Sequence, residues 1–202
     1  MEPENGSVID HRRDVARAGH TGNRTTAREG LADPAGTVRC TALGALDRLG
    51  GLTDHDLVRA IGDPAPEVRR RACELAATRQ GVDLIGALAD SDAGVAEMAA
   101  WAAGEQGAQA AVPALVRMSS AGTGHADPLC REAAVAAIGA IGDPQGLAAV
   151  LDALGDKPAV RRRAAVALAA FDGPEVDGAL RRCLSDRDWQ VRQVAEDLLT
   201  AH

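Results

Sequence analysis

Asp33-Pro-Ala-Gly-Thr-Val38-Arg39 returns as Asp63-Pro-Ala-Pro-Glu-Val68-Arg69, and again as Asp186-Arg-Asp-Trp-Gln-Val191-Arg192, with one spacing from the carboxylate to the Val-Arg pair. Val160-Arg161 and Leu129-Cys130 head two further copies, and Val95 heads another. Successive anchors then lie 30, 27, 34, 31 and 31 residues apart. Val8, 30 residues before Val38, marks an incomplete unit at the start. Self-similarity of this period means one supersecondary unit used many times, each unit burying its apolar face only against its neighbours.

The unit is helical. After each anchor, small or apolar residues return at +4, +7 and +8, as in Ala72, Leu75 and Ala76 after Val68. That is the helix period, and strand-like alternation is absent. Each anchored helix is followed by a shorter amphipathic one, marked by the rows Leu57/Ile61, Leu84/Leu88, Val112/Val116, Leu147/Leu151 and Val176/Leu180. Thr53-x-x-Asp56 reads as a capping box, and Pro66, Pro158 and Pro174 suit first-turn positions. Gly50-Gly51 and Gly81 suit helix exits. The expected fold is an all-α, right-handed α-α superhelix of about six helical hairpins. It occupies residues 7–202 behind a disordered segment 1–6.

Composition agrees with thin layers. Only 1% of residues are aromatic, yet 46% are hydrophobic, so Ala, Leu and Val must supply the core. No apolar run is long enough to span a membrane, and Met1 to Asp10 has no apolar stretch of a secretory signal. A cytoplasmic protein is expected. Cys40, Cys73, Cys130 and Cys183 include no Cys-x-x-Cys pair and read as structural thiols. The net charge of −7 disfavours nucleic acid globally without excluding a local basic stripe.

The pattern Asp-x-x-x-x-Val-Arg-x-x-Ala, followed by an Ala/Leu-rich helix, resembles HEAT repeats of the short phycobilisome-lyase-like type. The resemblance runs from about Ser7 to Ala201. It implies an inter-repeat ladder of Asp33, Asp63, Asp90 and Asp186 with Arg39, Arg69, Arg161 and Arg192. It also implies that the Val-Arg helices line a concave side. The middle departs from the pattern: Ala96 and Cys130 stand where Arg is expected, Gly124 and Gly155 where Asp is, with Asp156 beside the latter. A Gly/Ser-rich insertion, residues 119–127, reads as an exposed loop.

Catalytic signatures are missing. His11, His20, His55, His125 and His202 make no i, i+3 or i, i+4 pair, and no His-Glu dipeptide matches the iron sites of HEAT hydroxylases. No HExxH, GxSxG or phosphate-loop pattern occurs. No catalytic residue, metal site or cofactor is expected. Arginine clusters are the loudest polar feature: Arg12-Arg13, Arg69-Arg70-Arg71, Arg161-Arg162-Arg163 and Arg181-Arg182. The first arginine of each triplet, Arg69 and Arg161, belongs to the ladder, whereas Arg70 and Arg162 are either anion-binding or simply solvated. Trp189 falls in the first turn of the last helix, where its ring would cover an exposed end.

With positions 0, +4, +7 and +8 buried, +2 and +6 face the groove. This predicts an apolar strip, Trp101–Val135–Val166, bordered by Arg131 and Arg162, unless those side chains pack between helices. The strip would suit an amphipathic segment carrying acidic residues. The expected function is a monomeric, non-catalytic scaffold that holds another protein. The alternatives are a nucleic-acid binder resembling HEAT-like DNA glycosylases, using groove Arg and Trp, and an accessory lyase or maturation factor for a tetrapyrrole-bearing protein.

Overall fold

The computed structural model describes residues 6–201, whose regular structure is twelve α-helices and five 3₁₀ turns, with no strand among the described residues. Of the segment expected to be disordered, residues 1–5 lie outside the described residues, and Gly6 opens the first helix. The helices fall into two compact units, residues 1–83 and 84–202.

The first unit holds α1 (Gly6–Thr21), α2 (Arg24–Glu29), α3 (Gly36–Arg48), α4 (Asp54–Ile61) and α5 (Pro66–Ala76). Helix α3 packs between α1 and α5, and Val15, Val38, Leu43, Leu46, Leu57 and Val68 are fully enclosed. Helix α3 ends because Gly50 adopts φ 61°, which lets its N–H and that of Gly51 reach back to Asp47 and Leu46. The capping box forms at the start of α4: Thr53 Oγ1 accepts the Asp56 N–H at 3.2 Å, and Asp56 accepts the Thr53 N–H at 2.9 Å. Thr53→Ala is expected to lower stability by about 1 kcal/mol, measured by urea denaturation. An unchanged midpoint would mean that α4 needs no cap.

The second unit holds α6 (Ala93–Gln106), α7 (Val112–Ser119), α8 (Pro128–Ile141), α9 (Leu147–Ala153), α10 (Pro158–Ala167), α11 (Pro174–Cys183) and α12 (Trp189–Ala201). Helices α6, α8, α10 and α12 pack in sequence order as one layer, and the intervening short helices form the other. Small residues set the spacing. A Cβ on Gly104 would lie 3.0 Å from the Ala137 Cα, and one on Gly139 the same distance from the Ala167 Cα. Pro128, Pro158 and Pro174 all open helices, where a missing N–H costs nothing.

Three local expectations are corrected. The Leu84/Leu88 row forms only a 3₁₀ turn, Gly86–Ala89, because it opens without a capping side chain and carries a glycine. In α8 the core position is Cys130, 1% exposed, whereas Leu129 is 54% exposed, so the anchor lies one residue later than Leu129. In α1 the buried residues are Val15, Ala18 and Gly19, and Val8 is only half-buried. Gly19 abuts Ala45 as Gly104 abuts Ala137, which makes Asp10 the residue equivalent to Val38.

A candidate binding face and the rungs behind it

Turns before the anchored helices α5, α10 and α12 hold neighbouring repeats together. Arg39 donates through Nε and Nη2 to both Asp63 oxygens at 2.8 and 2.6 Å. Arg131 does the same to Asp156 at 2.7 and 2.9 Å, and Arg161 to Asp186 at 3.0 and 3.2 Å. The remaining arm, Nη1, returns to a carbonyl of the arginine's own turn: Asp33 for Arg39, His125 for Arg131, Asp156 for Arg161. Each carboxylate also accepts a backbone N–H just ahead of it, from Ala65, Lys157 and Asp188 respectively. Among the described residues no buried side-chain nitrogen or oxygen is left without a partner, as groups removed from water require. Hydrogen bonding from Arg131 holds the Asp156 carboxyl below the usual carboxylate range, against the opposing pull of burial.

The other ladder residues occupy the same turns. Arg69 and Arg192 donate to the Asp63 and Asp186 carbonyls at 2.9 and 2.8 Å. Asp33 and Asp90 accept the N–H groups of Ala35 and Asp92. With α1 in its corrected register, His11 stands in the arginine place, and its Nδ1 lies 2.6 Å from Asp33. Arg131, expected beside the groove, is instead a rung, 5% exposed, because the anchor is Cys130. The carboxylate place in that repeat belongs to His125, not Gly124. Its Nδ1 accepts the Asp127 N–H at 3.1 Å, the bond that an aspartate makes elsewhere. The rung between Ala96 and His125 therefore lacks both its charges, and Ala96 is fully buried.

The opposite side of the α6–α8–α10–α12 layer is the exposed face. Trp101 on α6 and Val166 on α10 are 45% and 46% exposed. Val135 does not join them: counted from Cys130 it falls at +5, a position that is also buried in the other repeats as Leu43, Cys73, Ala100 and Ala165. Ala136 stands in its stead, and with Gly139 and Ala140 of α8 it faces Arg163 and Val166 of α10, and Ala170 of the 3₁₀ turn after it, across a shallow open groove. Arg162 lies along the rim, where Nη1 donates to Gln190 at 2.6 Å and Nε lies 3.3 Å from Asp188. Arg163 pairs with Glu132 at 3.3 Å. Arg70 is exposed on α5, in the first unit. Trp189 is 64% exposed.

Of the two carboxylates beside Trp101, Glu97 falls at one of the +2 positions expected to face the groove, and Glu105 escaped the sequence reading. Glu97 and Glu105 are exposed one turn before and one turn after Trp101, a spacing visible in Glu-x-x-x-Trp-x-x-x-Glu. The four cysteines are free thiols, three of them buried. Burial pushes the Cys130 thiol up to about 11, helped by the carboxylates of Asp127 and Glu97. Among the described residues no group of three His, Cys, Asp or Glu side chains could hold a metal ion. No described helix is long and apolar enough to cross a membrane.

Residues 120–200 match the family model of HEAT repeats. No curated protein matches the sequence. Among solved structures, a designed armadillo repeat protein is similar at 18% identity and TM-score 0.63, covering 87% of this chain and 98% of its own. A second designed armadillo repeat protein, in complex with the peptide (KR)4, is similar at 18% identity and TM-score 0.61, over 95% of this chain and 98% of its own. Human deoxyhypusine hydroxylase is similar at 19% identity and TM-score 0.50, over 98% and 80%. The chain has an all-helical α-α superhelical repeat fold, and its C-terminal stretch is similar to HEAT repeats.

Proposed function

We propose that the chain is a non-catalytic scaffold whose α6–α8–α10 face holds an extended segment of another protein. The observation that carries this is the half-exposure of Trp101 and Val166 on one helix layer, with Val166 lining the groove of small residues around Ala136. Apolar side chains gathered on one face of a soluble layer mark an interaction site, and a Trp in such a place is the usual anchor. Designed armadillo repeat proteins offer the analogy, one of them seated on a peptide.

The nucleic-acid reading finds less support. It needs groove arginines free for phosphates, but Arg131 is a buried rung and Arg162 is tied to Asp188 and Gln190. The lyase-like reading has no residue to carry its chemistry.

Peptides selected from a random display library on the immobilised chain test the proposal. They are expected to bind a Trp101→Ala, Val166→Glu variant about thirtyfold more weakly, the loss typical of a central anchor. Circular dichroism would verify that the variant remains folded. Selected peptides that bind variant and wild type equally would place the binding site elsewhere.

A further inference from the structure

The setting of Trp101 says what kind of segment fits, granted the protein-binding face proposed above. Glu97, Trp101 and Glu105 follow one another at four-residue steps on α6, and all three are exposed. Four residues of helix advance about 6 Å, so the ring stands with a carboxylate on either side along one face. The cations of α8 and α10 are engaged elsewhere. Arg131 and Arg161 are rungs, Arg162 is held by Asp188, and Arg163 by Glu132. The local field is negative enough that Glu97 and Asp127 add to the effect of burial on the Cys130 thiol.

We infer that the segment held by this face is cationic, with a Lys or Arg side chain seated on the Trp101 ring between Glu97 and Glu105. A cation over an indole face is attracted by the ring quadrupole, and two adjacent carboxylates add charge pairing. The aliphatic stem of the same residue would lie on the small-residue floor by Ala136 and Ala140. The net charge of −7 steers such a segment toward the chain. This reverses the acidic segment that the sequence suggested, because the arginines on which that expectation relied are occupied.

The test is fluorescence anisotropy of a labelled octapeptide of alternating Lys and Arg, titrated with the full chain. Trp101 emission is followed in parallel in a Trp189→Phe background. Saturable binding that changes Trp101 emission is expected. Glu97→Gln with Glu105→Gln should raise Kd about tenfold, and Trp101→Ala about fivefold. Asp172→Asn with Glu175→Gln removes the same charge from exposed positions at and before α11, and should leave Kd within about twofold. An equal loss in that control would overturn the inference, since binding would then follow net charge alone. A Gly-Ser or Asp-Glu octapeptide that moves Trp101 emission while the Lys-Arg peptide does not would overturn the cationic assignment and leave the binding face standing. If no octapeptide of any charge binds or moves the emission, both readings fall.

Discussion

Asp156→Ala should destabilise the second unit by about 3 kcal/mol, far more than the loss of an ordinary surface ion pair. The two side chains of this rung are 6% and 4% exposed, and they meet through two parallel hydrogen bonds. Removing the aspartate leaves a guanidinium shut away from water with only the His125 and Ala126 carbonyls for company. The pair Arg13–Asp10, at 3.4 Å with both partners more than two-thirds exposed, is the contrasting case, and its loss should not register. Urea denaturation measures the difference. The double variant Arg131→Met, Asp156→Leu should recover much of the loss, because it leaves no charge buried. The effect has a definite pH sense. Arg131 holds the folded-state carboxyl below its ordinary value near 3.9. The rung's contribution is therefore complete above that ordinary value and fades as pH falls through the depressed one. Wild type and Asp156→Ala should converge in acid. A variant as stable as wild type at neutral pH would show that the rung holds nothing together.

The helical repeat was legible because one short motif performs several tasks at once. In Asp63-Pro-Ala-Pro-Glu-Val68-Arg69, the aspartate closes the turn, proline opens the helix, valine enters the core and arginine binds the turn behind it. Few folds demand all four at fixed spacing. The reading failed where those tasks move to unexpected residues. Leu129 imitates a core valine, but the insertion before it adds a residue that counting alone cannot place. Arg131 held the clue, since a rung arginine directly follows the core residue; accepting it would have moved Val135 inside. Asp156 sits one position late and is still captured by Arg131, which only tertiary geometry reveals. His11 was hidden because Val8 happens to lie 30 residues before Val38, and an imidazole does not look like a guanidinium. Trp101 is exposed as the count of six from Val95 expects, since Val95 is itself a buried anchor. The pairing of Glu97 with Glu105 around it went unnoticed because a charged residue on a helix surface carries no signal until its neighbours are known to be neutralised.

Gly139→Ala is expected to destabilise the chain by about 1–3 kcal/mol, although the same change in an open helix would stabilise it by about 1 kcal/mol. The sign depends on how closely α8 and α10 approach. A methyl at residue 139 would lie 2.7 Å from the Ala167 Cβ and 3.0 Å from its Cα, closer than real contacts allow. The obstacle is partly backbone, so no side-chain rotation relieves it, and one helix must slide against its neighbour. Ala167→Gly in the same chain removes the nearer atom and leaves the farther, so it should restore part of the loss, not all. Gly86→Ala is the internal control: nothing lies within 4 Å of the added methyl, and its φ is not positive. That variant should match or exceed the wild type. The seam recurs at Gly104 against Ala137 and, in the first unit, at Gly19 against Ala45. Chain-wide scarcity of aromatic residues is thus matched to helix layers too close to admit them. Thermal melts of the three variants decide the matter. A Gly139→Ala chain that melts above wild type would mean that the helices stand farther apart, and that the glycines there reflect composition alone.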